Sequence, residues 1–311
     1  MAWSADDIPD LSGRIAVVTG ANGGLGLEVS RELARKGAHV VMASRDRDKA
    51  ERASRDVLTE IPDASVGLQP LDLASLSSVR EAAAKILAAH ETVDILVNNG
   101  GVMAIPERKT EDGFEMQFGV NHLGHFALTA LVSPALCRSL GARVISVTST
   151  GRHTPGPLDP DNPNLEGRYE PWRAYGQSKL ANVHSALELD RRFRAAGLPA
   201  RSIVTHPGFA KTDLQARSVR ETGGGSSQRF FRALVGRTGM TPARGALSLL
   251  RAATDPKAVG GALYTPRWVN WGPPVRRPLF GRSRSREAMT TLWEVSERET
   301  GITFDVQAND V

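Results

Sequence analysis

The apolar positions of this 311-residue chain fall into two alternating kinds of run. Short runs rich in Val, Ile and Ala recur at Arg14–Thr19 (RIAVVT), Ala38–Ala43 (AHVVMA), Val66–Leu71, Val93–Val97 (VDILV), Ala142–Thr148 (ARVISVT) and Ala200–Thr205 (ARSIVT), with Gly261–Thr265 as a seventh. Each reads as a strand, and strands this apolar are covered on both faces, as in a parallel sheet. Longer stretches with helical spacing lie between them. Leu25, Val29, Leu33 and Ala34 share one face; Arg45–Glu60 is a charged helix; Ser75–His90 carries a serine cap; Gly113–Leu140 is long and mostly apolar; Trp172–Ala196 follows. Helices of this length serve as crossovers. The pattern predicts one α/β domain: an open, doubly wound sheet of about seven parallel strands with helices on both faces.

Two stretches interrupt the rhythm. Gly151–Pro171 is rich in Pro, Asp, Asn and Gly and reads as a loop. Residues 210–240 contain Gly223-Gly224-Gly225-Ser226-Ser227 and an apolar-basic segment (QRFFRALVG), which reads as a mobile flap. Loops this long within a compact domain are often functional.

Composition narrows the setting. Aromatic residues make up 5% of the chain, so Ala, Val and Leu must fill the core. No apolar run is long enough for an integral membrane segment. The segment Met1–Gly13 is polar and acidic without a signal-peptide core, so a cytoplasmic protein is expected. Cys137 is the one cysteine, which rules out an intrachain disulfide, and its apolar helical context predicts a buried structural thiol. The net charge of +5 is concentrated late, with Arg276, Arg277, Arg282, Arg284 and Arg286 close together. Such a cluster could bind nucleic acid or anionic lipid. Without the motifs of nucleic-acid readers it is expected to be a solvated basic face, with no nucleic-acid partner.

The chemistry begins at Thr19-Gly20-Ala21-Asn22-Gly23-Gly24-Leu25-Gly26, between the first strand and the first helix. Glycines there allow a tight turn and leave room for a pyrophosphate, while the helix N-terminus offers N–H groups and a positive dipole end. This is the phosphate turn of a Rossmann-type domain. Its spacing fits both TGxxxGxG and the TGxxGxxG of extended nucleotide-sugar epimerases. Five further motifs follow in order: Leu71-Asp72-Leu73, Asn98-Asn99-Gly100-Gly101, Asn121 within FGVNHLGHF, Thr148-Ser149, and Tyr175-Gly176-Gln177-Ser178-Lys179; then comes His206-Pro207-Gly208 with Thr212 beyond.

Over roughly residues 12 to 301 this set resembles the short-chain dehydrogenase/reductase family, and NNGG favours it over the epimerases. TGANGGLG, FGVNHLGHF, the long Ser-to-Tyr spacer and LWEVSERETG resemble the retinol dehydrogenase and protochlorophyllide reductase-like branch. The resemblance implies a nicotinamide cofactor held by Gly20, Asn22, Gly23, Gly24, Leu25, Gly26, Ser44, Arg45, Asp72, Leu73, Asn98, Asn99, Gly100, Tyr175, Lys179, Pro207, Gly208 and Thr212. It implies hydride transfer at a catalytic set of Ser149, Tyr175, Lys179 and Asn121, with Asn121 holding a water that links Lys179 to solvent. On this basis residues 12–206 are the cofactor-binding core of a single domain, 207–285 the substrate flap and C-terminal region, and 286–311 the C-terminal helix and tail.

An acidic residue after the second strand would bond the 2′-hydroxyl of NAD, whereas Ser44-Arg45 offers a guanidinium suited to a phosphate, so NADP is expected over NAD. Tyr175 and Lys179 are one helical turn apart and share a face, so the ammonium is expected to lower the phenol pKa. Ser149 would bond the substrate oxygen, with Thr148 and Thr150 as rival hydroxyls, and Tyr175 would transfer the proton. Ser149 and Tyr175 are 26 residues apart, so the loop between them must fold outward. His122 and His125 have metal-ligand spacing, but nothing completes a site, and packing or hydrogen bonding is expected with no metal.

The flap and residues 264–285, carrying Phe209, Leu214, Phe230, Phe231, Trp268 and Trp271, either roof an apolar pocket for a lipophilic carbonyl or alcohol or pack the lid. His153 and Trp172 either touch substrate or lie on the surface. Protochlorophyllide reductases use a cysteine proton donor, and Cys137 is placed away from the Ser-to-Tyr loop. Many relatives pair through long helices, so a homodimer is an open alternative. A non-catalytic NADP-binding regulatory protein on the same fold is the rival functional reading.

Overall fold

The computed structural model describes residues 2–210 and 239–306. Eight strands form one sheet in the order β3-β2-β1-β4-β5-β6-β7-β8: β1 (Ile15–Thr19), β2 (His39–Ser44), β3 (Ser65–Pro70), β4 (Ile95–Asn98), β5 (Arg143–Val147), β6 (Arg201–Thr205), β7 (Leu263–Pro266) and β8 (Pro274–Arg277). Every neighbouring pair is parallel except β7 and β8. The seven expected parallel strands are therefore present, and the eighth is an antiparallel edge. It begins with Pro274, which an edge strand tolerates although proline cannot donate to the ladder.

Alternation along the strands divides the core in two. Ala16, Val18, Val40, Met42, Ile95, Val97 and Ile145 face one layer, which α1 (Gly24–Arg35), α2 (Arg47–Glu60) and α8 (Pro242–Thr254) cover. Val17, Val41, Ala43, Leu96 and Val144 face the other, under α3 (Leu76–Ala89), α5 (Gly124–Leu131), α6 (Ser133–Arg138) and α7 (Pro171–Ala195). Successive strand side chains point to opposite faces, so a run apolar at every position can fill both layers. Trp293 on α9 (Arg286–Thr300) stacks on Phe304 and meets Phe126 edge-on, which seals the second layer.

The expected long helix over Gly113–Leu140 is broken up. α4 (Met116–Phe118) runs into a π turn at Gly119–Leu123 and then into α5. At Val132 the backbone turns out of helix, with φ −90° and ψ 2°, before α6. Pro134, in the first turn of α6, cannot donate the N–H that an unbroken helix would need. The second helix starts two residues later than expected because Asp46 caps it, accepting from the Lys49 N–H at 3.0 Å. The flap expectation, with Thr212, Leu214, Phe230 and Phe231, falls outside the described residues. Among the described residues no helix is long and apolar enough to cross a membrane.

The strand order reverses direction between β1 and β4, so the crevice opens at their carboxyl ends. Two glycines let the chain close there. Gly20 has φ 64°, and a Cβ on it would come 2.9 Å from Gly100 Cα. A Cβ on Gly26 would lie 2.3 Å from the Gly20 carbonyl oxygen, so α1 can approach the turn only because that position is glycine. Gly26→Ala should lower the melting temperature by at least about 3 °C through this overpacking, as read by thermal denaturation of the purified variant beside wild type.

Candidate active site

The carboxyl ends of β1 to β6 and the start of α7 meet in one cleft of about 430 Å³. Its floor contains Gly20, Asn22, Gly23, Gly24 and Leu25 from the first loop, Ser44 and Arg45 after β2, and Asp72 and Leu73 after β3. Asn99 and Gly100 follow from β4, and Ser149, Tyr175, Lys179, Pro207 and Gly208 complete the expected lining. Gly23, the N-cap of α1, provides no side-chain hydrogen bond, so the first-turn N–H groups of that helix have no cap of their own. An uncapped twelve-residue helix beside a glycine floor fits a pyrophosphate. The Arg45 guanidinium is 61% exposed at the cleft rim and lies 3.5 Å from Asp72 Oδ2, leaving most of its donors free for an anion.

Two expected cofactor residues fall elsewhere. Gly26 is buried in the packing between α1 and the turn. Asn98 points below the cleft: its Nδ2 donates to Thr129 Oγ1 at 2.9 Å, and it lines a separate small cavity of about 20 Å³. β-Strand alternation explains this, since Asn98 is still in β4 and its neighbour Asn99 points the opposite way. Thr212 lies outside the described residues.

The proton-handling group is assembled from β5, the π turn and α7. The Ser149 hydroxyl interacts with the Tyr175 phenol, so the two hydroxyls face one another. Thr148, the first rival, is committed elsewhere: its hydroxyl donates to the Lys179 carbonyl at 2.6 Å. Lys179 Nζ lies 5.8 Å from the Tyr175 ring centre and donates to the Val147 carbonyl at 3.3 Å. Asn121 Oδ1 accepts from the Val102 N–H at 2.8 Å, while its Nδ2 donates to the Val102 carbonyl and to Ser178 Oγ, each at 2.9 Å. Ser178 Oγ in turn donates to the Tyr175 carbonyl at 2.8 Å. Asn121 therefore clamps the loop after β4 to the helix that carries Tyr175 and Lys179.

Electrostatics depart from expectation at one point. Burial pushes the Tyr175 phenol up, opposed by Ser149, and Lys179 is no cause of its shift. The same burial pulls the Lys179 ammonium down to about 8. The helical spacing places both groups on one face, but burial, which disfavours the charged form of each, is the leading cause at both. Tyr175 is thus held as a neutral proton donor.

Several contributors were not foreseen. Thr19 Oγ1 accepts from the Asn99 and Gly100 N–H groups, each at 2.9 Å, and sits 2.8 Å from His125 Nε2. The Asn121 carbonyl can only accept, so neutral His125 carries its hydrogen on Nδ1, 3.0 Å away, and Nε2 accepts the Thr19 proton, with the Val97 carbonyl a longer second acceptor at 3.3 Å. His206 also lines the cleft, with the Thr148 backbone and the Asn270 side chain beside its ring. Burial pulls His125 and His206 each down to about 4 and His122 to about 3, so all three are neutral. His122 bonds Ser296 Oγ at 2.7 Å, and among the described residues no cluster could hold a metal. A polar residue inside an otherwise apolar run was the available signal for Thr19 and His125.

The Ser-to-Tyr loop is pinned outward as required. Tyr169 donates to the Ile105 carbonyl at 2.7 Å, Gln177 Nε2 to the Pro163 carbonyl at 2.7 Å, and Arg282 to the carbonyls of His153 and Pro155. Trp172 meets the Tyr175 ring edge-on, a supporting contact outside the cleft lining. Met103, Met116, Val120 and Phe209 supply apolar wall, whereas Trp268 and Trp271 lie outside the cleft. Cys137 is half-buried on α6, with its thiol pushed up by burial.

Known proteins share this arrangement. The sequence profile of the short chain dehydrogenase family matches residues 14–223. Human Retinol dehydrogenase 13 is 47% identical over 205 residues, which is 66% of this chain but only 61% of that protein's length. Mouse Polyprenol dehydrogenase is 39% identical over 303 residues, covering 94% of this chain and 86% of that one. The crystal structure of an uncharacterised protein from Mycobacterium paratuberculosis superimposes with a TM-score of 0.80 at 37% identity, covering 98% of this chain and 99% of the other. A short chain dehydrogenase from Shigella flexneri 2a, complexed with NADP, shares the fold at a TM-score of 0.62 and 21% identity, over 82% of this chain and 97% of its own. With its glycine floor, clamped Asn121 and facing Ser149 and Tyr175, the chain belongs to the short-chain dehydrogenase/reductase family, on its retinol dehydrogenase-like branch.

Proposed function

We propose that the chain is an NADP-dependent oxidoreductase acting reversibly between the carbonyl and alcohol forms of a lipophilic substrate. One observation carries the reading: the Ser149 and Tyr175 hydroxyls face each other in the wall of a cleft whose floor fits a dinucleotide. When bound, the nicotinamide supplies or accepts the hydride. Everything else falls to the protein. Ser149 donates a hydrogen bond to the substrate oxygen and stabilises charge developing there. Tyr175, kept protonated by burial, delivers its phenolic proton to that oxygen in reduction and recovers it in oxidation. Lys179 orients the ribose side of the cofactor. The Asn121 clamp fixes the relative position of these groups. Met103, Met116, Val120 and Phe209 exclude water around the reacting oxygen and favour an apolar substrate. Arg45 gives the preference for a 2′-phosphate, since a guanidinium pairs phosphate through parallel hydrogen bonds.

The reading is tested by following NADPH oxidation against a panel of aldehydes and ketones of increasing apolar size. Turnover rising with apolar size is expected; cofactor binding without turnover would point to the regulatory alternative instead. Tyr175→Phe should reduce kcat by about a hundredfold or more while NADPH affinity is retained.

Arg45→Ala should weaken NADPH binding by roughly tenfold or more and leave NADH nearly unchanged, since a charge-assisted contact is lost. Titration calorimetry of both cofactors checks this, and tighter binding of NADH by the wild type would discard the NADP assignment.

Lys179, with its ammonium pulled down to about 8, is charged below that pH and neutral above it. The value of kcat/KM for NADPH should accordingly be level below about pH 8 and fall above it. In Lys179→Arg, whose charge persists, this fall should vanish; a pH profile with an unchanged alkaline limb in the variant would assign the titration to another group.

A further inference from the structure

The edge of the sheet beyond β7 carries a feature that the reaction does not use. From Pro256 to Arg286 the chain has no Asp or Glu and seven Lys and Arg residues. The β7–β8 hairpin within this stretch holds Trp268 and Trp271 stacked at 4.3 Å between ring centres. The two indoles are 52% and 56% exposed. Val269 and Arg267 beside them are exposed, as are Arg276 and Arg277 on β8.

The hairpin holds this display at some conformational expense. Val269 has φ 67°, a left-handed conformation that a β-branched residue rarely adopts. A Cβ on Gly272 would lie 2.5 Å from Trp268 Cε3, so the stack requires glycine there. Backbone hydrogen bonds from Val269 to Pro266 at 2.9 Å and from Trp268 to Trp271 at 3.1 Å lock the turn. Strain that persists in an exposed turn points to a use for what the turn presents. The hairpin also sits at the cleft rim: the Asn270 carbonyl accepts from the Phe209 N–H at 3.4 Å, and Phe209 lines the cleft.

We infer that this hairpin and the basic edge strand form a docking surface for an anionic lipid bilayer. Indoles suit the boundary of a membrane because one part of the ring system is apolar and the N–H is polar. Arginines beside them are attracted by an anionic leaflet within a Debye length of its surface. A patch without a single carboxylate meets no repulsion there. Docking would turn the Phe209 side of the cleft toward the bilayer. The inference stands on the exposed indoles and the charge pattern, and binding can be measured without turnover, so it survives or fails apart from the substrate assignment.

The full chain is to be co-sedimented with phosphatidylcholine vesicles containing or lacking phosphatidylglycerol, with tryptophan emission recorded in parallel. Wild type should bind the phosphatidylglycerol vesicles at low salt, release at high salt, and shift its emission to the blue. Arg267→Glu/Arg276→Glu should bind at least about twentyfold more weakly. Trp268→Ala/Trp271→Ala should lose the blue shift and much of the binding, and both variants should melt within a degree or so of wild type. Failure of wild type to sediment with anionic vesicles, or binding by both variants as tight as that of wild type, overturns the inference. So does retention by duplex DNA, or dimerisation abolished by the tryptophan changes, when vesicles are not bound.

Discussion

The Thr19 hydroxyl is the point on which the site depends. It ends the first strand and accepts two backbone N–H groups from the loop after β4, which fixes the two crevice walls relative to each other. Its remaining proton goes to His125, which passes the constraint to the Asn121 carbonyl in the π turn. Asn121 then holds both Val102 and Ser178, and so reaches the helix of Tyr175 and Lys179. The donors and acceptors of this network are buried or half-buried, and a buried polar group left unpaired costs roughly 1–3 kcal/mol. Few alternative arrangements satisfy all of them, so cofactor floor and proton donor are held in one geometry. The π turn is part of that solution. By widening the helix at Gly119–Leu123 it brings the Asn121 side chain to Val102 while His125 takes up its carbonyl.

Burial governs the chemistry as much as distance does. A lysine one turn from a tyrosine suggests an acidified phenol, and in water-exposed surroundings that would follow. Here both groups are enclosed, and desolvation acts on each before they act on one another: the phenol becomes harder to ionise and the ammonium easier to neutralise. The neutral histidines around them belong to the same dry environment. In the proposed reaction such a site favours proton delivery to a carbonyl oxygen.

The outer edge follows a different logic. β8 covers β7 and protects the parallel sheet from an open edge. The turn that joins the two strands carries its aromatic residues outward and outside the cleft, so lining it, one of the two roles left open for them, is not theirs. Phe209 alone among the described candidates for that roof reaches the cleft. The tryptophans thus stand next to the cleft entrance and outside the cleft itself, which is what the lipid-docking inference uses.

The sequence by itself determined the sheet, because runs of β-branched residues apolar at every position can only be buried on both faces. It also determined the order of the loops: glycine turn, NNGG, Ser149 and the Tyr175–Lys179 turn all follow strand ends and must meet at one edge of a parallel sheet. What it could not decide depended on where neighbours lie in space. Strand alternation sent Asn98 below the sheet and Asn99 toward the cleft, and the exact end of β4 settles which is which. The π turn, the Thr19–His125 contact and the outward Trp268–Trp271 stack arise from partners that are distant in the chain. Lys179 could be placed beside Tyr175 from their spacing, but its charge could not, since a pKa answers to desolvation and only the packed structure says how much water is left.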